Sequence, residues 1–204
     1  MQPEASHKAL KSELRKKIRE QRKNIDAVEK LALDSAMNRF LTTYLDQYQA
    51  QTVAAFWPFD GEPDLLPTLD LLERAGKTVA LPVIEDIPGK PSMIFRQWST
   101  DTSMVKNLYG IPEPVGTPEI LLPNIDLMLL PLVGWDESGG RLGMGAGFYD
   151  RSLQPFGLSD SPVRMGVAYQ LQKIPRVPAE PWDVRLHMLL SESGWSAFPD
   201  NQVQ

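Results

Sequence analysis

The 204-residue sequence contains no cysteine, which excludes disulfide bonds, thiolate metal sites and cysteine nucleophiles. It has only two histidines, His7 and His187, far apart in the chain. Long apolar runs are also missing, because the longest, residues 127–133, is too short to cross a bilayer. The charged N-terminal stretch lacks the apolar core of a signal peptide. We therefore expect a cytoplasmic protein with no membrane partner.

The sequence has no excess of positive charge. Lys and Arg total 21 against 26 Asp and Glu, whereas domains that bind nucleic acids are usually strongly basic. The basic residues cluster in residues 8–23, a run that is most often a solvated helix face and here lacks interleaved aromatic residues. We therefore expect no nucleic-acid partner. Within this run, Lys11 and Arg15 share one helix face and could both contact one polyanion.

The spacing of apolar residues predicts helices alternating with strands. Helices are predicted at residues 6–22, 26–48, 67–76 and 148–153, and strands at residues 52–57, 78–84, 92–98, 125–133, 163–169 and 188–191. This order predicts a three-layer α/β/α fold, Rossmann-like, with a mostly parallel central sheet and the N-terminal helices packed on it. We expect one domain over residues 1–204, with residues 110–124 as a functional loop and residues 196–204 as a loose tail.

The strongest local signal is a glycine-rich segment that follows the predicted strand 125–133. Residues 139–147 hold five of the 14 glycines, with Arg141 among them and Asp150 shortly after. Glycine permits backbone angles that turn successive N–H groups around an anion, arginine supplies a fixed positive charge, and a carboxylate is a ligand that magnesium prefers. Ligands in parallel sheets bind beyond the carboxyl ends of strands. The pattern therefore indicates a nucleotide triphosphate site.

Glycine spacing alone leaves other interpretations open. Gly143, Gly145 and Gly147 match neither the dinucleotide fingerprint nor the Walker pattern, and a lone Gly-x-Gly is more often a structural turn. Glu62 by itself could be a carboxylate at a helix start. Trp57 and Tyr109 could be core aromatics. No Gly-x-Ser-x-Gly elbow is present, which disfavours a serine hydrolase.

Five features in order along the chain resemble the 5-formyltetrahydrofolate cyclo-ligase family, also called methenyltetrahydrofolate synthetase. They are Lys-Ser-Glu-Leu-Arg at residues 11–15, Glu62, Tyr-Gly-Ile-Pro-Glu-Pro at 109–114, the string Gly-Gly-Arg-Leu-Gly-Met-Gly-Ala-Gly-Phe-Tyr-Asp at 139–150, and residues 178–183. The resemblance implies ATP- and magnesium-dependent cyclisation of 5-formyltetrahydrofolate to 5,10-methenyltetrahydrofolate, with release of ADP and phosphate. The formyl oxygen is a poor leaving group until it is phosphorylated, and phosphoryl transfer needs mainly positioning and charge neutralisation.

The resemblance also implies roles for individual residues. Arg141, Tyr149 and Asp150 would be catalytic, and Asp150 and Asp183 would bind Mg²⁺. The implied ATP-binding residues are Lys11, Arg15, Arg141, Leu142, Gly143, Met144, Gly145, Ala146, Gly147, Phe148 and Tyr149. The implied folate-binding residues are Trp57, Glu62, Tyr109, Met144, Gly145, Ala146, Gly147 and Phe148.

Some positions depart from the family pattern. Met144 and Ala146 stand where many members have basic residues, Phe148 replaces a common tyrosine, and His187 stands where an acidic residue is often seen. Lys11, Arg15 and Arg141 would then bear more of the phosphate charge. The alternatives are a phosphosugar isomerase or acyl-CoA transferase of similar layers, or a folate- or nucleotide-binding module without turnover. ATP and a reduced folate are the expected small-molecule partners, and we expect a monomer rather than a dimer.

Overall fold

The computed structural model describes residues 7–85, 92–157 and 162–198; the predicted helix start at Ser6 and the tail beyond residue 198 lie outside them. The helices are α1 (His7–Lys23), α2 (Ala27–Gln47), α3 (Leu66–Arg74) and α4 (Phe148–Leu153). The strands are β1 (Thr52–Ala54), β2 (Thr78–Glu85), β3 (Ser92–Trp98), β4 (Met104–Lys106), β5 (Pro112–Pro114), β6 (Leu127–Pro131), β7 (Gly134–Trp135), β8 (Arg141–Leu142), β9 (Val163–Val167), β10 (Met188–Ser191) and β11 (Gly194–Ala197). No helix within these ranges combines the length and apolar character needed to span a membrane.

Seven strands form the central sheet in the order β11-β10-β9-β6-β1-β2-β3. The neighbours from β10 to β2 pair in parallel, and only the two edge strands, β3 and β11, run antiparallel to their neighbours. The chain moves from β1 to β2 in one direction and places β6 on the other side of β1, so the strand order reverses there. Such a reversal is where ligands bind in open α/β sheets. The predicted mostly parallel sheet is confirmed.

Alternate residues of the strands pack into two apolar layers, one on each face of the sheet. Val53 of β1 and Leu129 of β6 pack with α2 and α3 on one face. Ala54 and Leu130, their neighbours in sequence, pack with Leu153 of α4 on the other face. The strands β1 and β6 are therefore buried on both faces, which gives the α/β/α layers that were predicted.

Helix α1 lies beyond the carboxyl end of β6 rather than on a sheet face. Its Ile18 packs with Val133 and Leu142, which follow β6 along the chain. Near its end, the side chain of Arg22 is fully enclosed, and its guanidinium donates to the backbone carbonyl of Asp60 at 2.8 Å and to that of Leu132 at 3.4 Å. These contacts tie α1 to the loops after β1 and β6. The helix α1 therefore packs on segments that follow β6 of the central sheet, and α2 packs on one face of that sheet.

Several predicted boundaries were wrong for identifiable reasons. The predicted tail begins inside β11, because Ser196 and Ala197 pair with Leu189 and Met188 of β10. The short strands β4, β5, β7 and β8 were missed, since two- or three-residue pairings are too short to show a period.

We expect Arg22→Met to destabilise the protein by about 3 kcal/mol, because it leaves the backbone carbonyls of Asp60 and Leu132 without their buried guanidinium donor. Arg19→Met is the matched control: Arg19 binds the same carboxylate at 2.7 Å but is partly exposed, so its loss should cost below about 1 kcal/mol. Urea unfolding of both variants measures the difference. Equal losses would show that the enclosed guanidinium does not anchor α1.

Candidate active site

A cavity of about 520 Å³ lies beside the carboxyl ends of β6, β1 and β2. Its lining contains every residue to which the sequence analysis assigned a site role: Lys11, Arg15, Trp57, Glu62, Tyr109, Arg141, Leu142, Gly143, Met144, Gly145, Ala146, Gly147, Phe148, Tyr149, Asp150 and Asp183. Residues from α1, the loop after β1, the loop before β5, the glycine segment and the loop after residue 180 therefore meet at one place.

The glycine segment is the exit of the β7–β8 hairpin. Arg141 and Leu142 form β8, and the chain then turns through Gly143–Gly147 into α4. Gly145 and Gly147 have φ angles of 110° and 69°, which side chains with a Cβ rarely adopt. The turn therefore depends on glycine and leaves its exposed backbone open to the cavity.

Two cations of α1 reach this turn from the opposite side. Arg15 donates from Nε to the carbonyl of Gly143 at 2.8 Å, and a Cβ added at Gly145 would lie 3.4 Å from the Cζ of Arg15. Burial lowers the pKa of the Arg15 guanidinium, although nearby Asp183 opposes the shift. One helical turn earlier, Lys11 pairs with Asp183 at 2.6 Å, with both side chains mostly buried. Positive charge is thus concentrated around the glycine turn.

Arg141, on β8 just before the turn, is the third cation of this group. Its side chain is 3% exposed and binds Oδ1 of Asp150. Its Nε is buried and has no hydrogen-bond partner in the part of the chain that the structure describes. A buried N–H without an acceptor is costly, so Arg141 has donor capacity left for an anion in the cavity.

Asp150 and Asp183 are distant in sequence but close in space. The backbone N–H of Val184 donates to Oδ1 of Asp150 at 3.1 Å, and Oδ2 of Asp183 accepts from Lys11 and from the N–H of Glu180. One oxygen of each carboxylate has no hydrogen bond among the described residues. Mg²⁺ is typically held by one or two carboxylates together with substrate phosphates. Although no group of three metal-ligating side chains occurs in the described ranges, this donor pair suits that cation.

Glu62 is almost fully buried in the cavity wall after β1. Oε2 of Glu62 accepts the backbone N–H of Phe59 at 3.2 Å. Burial raises the pKa of Glu62 to about 7, against the smaller opposing effect of Arg22. Burial also raises the pKa of Tyr149, and the charge of Glu62 adds to that shift. Glu62 therefore lies close to Tyr149, on the glycine side of the cavity.

The remaining wall is largely apolar and was only partly predicted. Sequence reasoning found Trp57, Tyr109 and Phe148 but missed these lining residues: Phe56, Phe59, Pro82, Ile84, Met93, Ile111, Pro112, Pro131 and Trp182. Several lie on β2 and β3, where an apolar residue that faces a cavity has the same pattern as one that faces the core. Trp182, which is 58% exposed, had a usable signal, because it precedes Asp183.

Three polar lining residues were also missed. Arg151 donates to the carbonyl of Ala146 at 2.8 Å, and its guanidinium lies 5.1 Å from the centre of the Phe148 ring. Asn107 and Glu113 line the opposite side, beside β2. Glu113 lies within a quoted motif but carried no implied role, and Arg151 directly follows Asp150 in sequence.

Comparison with known proteins identifies similar chains over nearly the whole length. A family model described as the 5-formyltetrahydrofolate cyclo-ligase family matches residues 7–192. The 5-formyltetrahydrofolate cyclo-ligase of Haemophilus influenzae is 35% identical over 88% of this chain and 96% of that protein. That of Escherichia coli K12 is 35% identical over 86% of this chain and 97% of that protein. The NMR structure of Aquifex aeolicus 5,10-methenyltetrahydrofolate synthetase superposes with a TM-score of 0.81 at 29% identity, covering 96% of each chain.

The raised pKa of Glu62 makes stability depend on pH in a defined direction. The folded chain keeps this proton up to about pH 7, whereas the unfolded chain releases it near pH 4.5. The free energy of unfolding that Glu62 contributes therefore falls as the pH rises from 4.5 to about 7. Relative to wild type, Glu62→Gln should therefore gain about 3 kcal/mol in free energy of unfolding between pH 4.5 and pH 8. Urea titrations across this range, with the exposed Glu119→Gln as control, measure it. A difference independent of pH would contradict the shift.

Proposed function

Because the chain belongs to the 5-formyltetrahydrofolate cyclo-ligase family, we propose that it converts 5-formyltetrahydrofolate to 5,10-methenyltetrahydrofolate at the expense of ATP. The observation that carries this proposal is the division of one cavity into a cationic glycine turn and an apolar wall. The first half suits a triphosphate, and the second suits a flat pterin ring. We further propose that the protein acts as a monomer in the cytoplasm, as expected from its sequence.

The triphosphate would occupy the glycine turn. The backbone of Gly143–Gly147 would surround it, with Lys11, Arg15 and Arg141 neutralising its charge. The buried Nε of Arg141, which lacks a partner among the described residues, supports contact with a transferring phosphoryl group. Such fixed donors and cations are the main demand of phosphoryl transfer.

Asp150 and Asp183 would hold the magnesium ion that accompanies ATP. When bound, Mg²⁺ would neutralise phosphate charge and lower the repulsion met by an incoming nucleophile. Lys11 forms an ion pair with Asp183, and Arg141 forms one with Asp150. The same ion pairs that keep the carboxylates satisfied would loosen as the cations turn toward phosphate.

The reaction then proceeds in two stages. The formyl oxygen of the folate attacks the γ-phosphorus, the bond to the bridging oxygen breaks, and ADP leaves. N10 next attacks the formyl carbon and loses its proton, and the carbon–oxygen bond breaks to release inorganic phosphate. The product is the 5,10-methenyl cation. Phosphorylation is required because the unmodified formyl oxygen cannot depart.

The folate would bind along the apolar wall, with Trp57 and Tyr109 beside its rings. Glu62 lines the cavity close to Tyr149, and its pKa of about 7 suits a group that accepts the N10 proton near neutral pH. Only its Oε2 receives a hydrogen bond from the described residues, which leaves Oε1 for the substrate. Tyr149, whose pKa is raised, would stay protonated and could donate to phosphate.

The two alternative functions make different demands. A phosphosugar isomerase or acyl-CoA transferase would use the glycine turn for a substrate phosphate, but it would not need an apolar wall with a pair of magnesium ligands. A binding module would hold folate or nucleotide and release both unchanged. Turnover therefore separates it from the proposed enzyme.

We expect methenyl absorbance to rise when the protein is mixed with 5-formyltetrahydrofolate, ATP and Mg²⁺. Omission of ATP or chelation of Mg²⁺ should abolish the rise, because the formyl oxygen then remains a poor leaving group. Calorimetry of each ligand should run in parallel. Binding of both ligands without any rise in absorbance would indicate the binding module instead.

Asp150→Asn should lower kcat by at least about a hundredfold, because it removes a proposed magnesium ligand next to the transferring phosphoryl group. Asp183→Asn tests the same role through a carboxylate that does not contact Arg141. The control is Asp70→Asn on α3, whose partner Arg74 lies on the protein surface. Circular dichroism should be unchanged in all three variants. Normal kinetics in both Asp150→Asn and Asp183→Asn would contradict the metal role.

A further inference from the structure

Glu113 is a carboxylate in the cavity wall that the reaction scheme above leaves without a role. It lies on β5, and the residue is 9% exposed. Its Oε1 accepts two hydrogen bonds, from the backbone N–H of Ile84 at 2.9 Å and from the side-chain amide of Asn107 at 2.7 Å. These two donors use both lone pairs of Oε1 and fix the direction of the carboxylate.

The second oxygen of Glu113 is available to a ligand. Oε2 has no hydrogen bond from the described residues, and no cation in those ranges forms an ion pair with this carboxylate. Oε2 is also not among the fully enclosed atoms that lack a partner. Glu113 lines both the main cavity and an adjoining recess of about 280 Å³. A carboxylate held in a mostly buried position without a counter-charge is costly, unless a ligand supplies donors.

The surroundings of Glu113 select the shape of that ligand. Pro82 and Ile84 of β2, Met93 of β3, and Ile111 and Pro112 before and within β5 form an apolar wall. A planar ring could lie against these side chains with one edge toward the carboxylate. Glu62 is not part of this apolar wall. It lies near Tyr149, whose pKa its charge raises, on the glycine side of the cavity.

We propose that Glu113 recognises the amino-pyrimidine edge of the pterin ring, with its Oε2 accepting N–H donors from the 2-amino group and from N3, the adjacent ring nitrogen that carries a hydrogen. This assignment rests on the proposed function, and it makes Glu113 a specificity-determining residue. A carboxylate only accepts hydrogen bonds, so it matches an edge that only donates. A ring without the amino group would leave the carboxylate unsatisfied and would be rejected.

The test compares Glu113→Gln with Glu119→Gln. Glu119 is an exposed glutamate in the segment that follows β5. Glu113→Gln should raise KM for 5-formyltetrahydrofolate about tenfold or more and leave KM for ATP unchanged, since a charge-assisted pair to the pterin is lost. Glu119→Gln should leave both constants unchanged. A normal KM for the folate in Glu113→Gln would overturn the proposal, and so would an equal rise in both constants.

A second measurement uses the wild-type protein, so it does not depend on how the variant folds. The wild-type protein should bind 5-formyltetrahydrofolate at least tenfold more tightly by calorimetry than an analogue that lacks the 2-amino group. Equal binding of both compounds by the wild type would overturn the proposal. Because this measurement needs neither ATP nor turnover, it still tests Glu113 if the absorbance assay refutes the proposed function.

Discussion

The attachment of α1 to the glycine turn is the interaction on which the rest of the site depends. Arg15 binds the carbonyl of Gly143 and Lys11 binds Asp183, so an N-terminal helix is joined to segments more than a hundred residues later. Without these contacts the turn would face solvent, where its backbone groups and charges would be screened by water. The helix converts an exposed loop into one wall of a cavity.

These polar contacts hold because apolar packing and a buried cation position α1 independently. Ile18 lies among Val133 and Leu142, and the enclosed Arg22 reaches carbonyls of two different loops. The position of α1 therefore does not rest on Lys11 and Arg15 alone. The residues of α1 that line the cavity and the residues that anchor the helix occupy successive parts of it.

The departures from the family pattern have a local structural context. Met144 and Ala146 bring no charge to the turn, but Arg151 extends from α4 to the carbonyl of Ala146 and lies over Phe148. The guanidinium of Arg151 lines the same cavity. A cation is thus present beside the turn, although it comes from the helix after the turn rather than from the turn itself. His187 lies away from these groups, where it is buried and accepts the backbone N–H of Arg164 at 2.8 Å.

The sequence by itself determined the layered fold and the polar half of the site. Apolar runs that are buried on both faces predict parallel strands, as the exact match of residues 188–191 to β10, which pairs in parallel with β9, illustrates. Glycine, arginine and aspartate at fixed spacing identified the turn, because these residue types are needed for backbone freedom and charge. The tertiary structure alone decided the pairing of Lys11 with Asp183, the burial that shifts the pKa of Glu62, and the place of Glu113 opposite Ile84. Contacts between distant segments and the exclusion of water both arise from packing in three dimensions, which no local pattern of residues encodes.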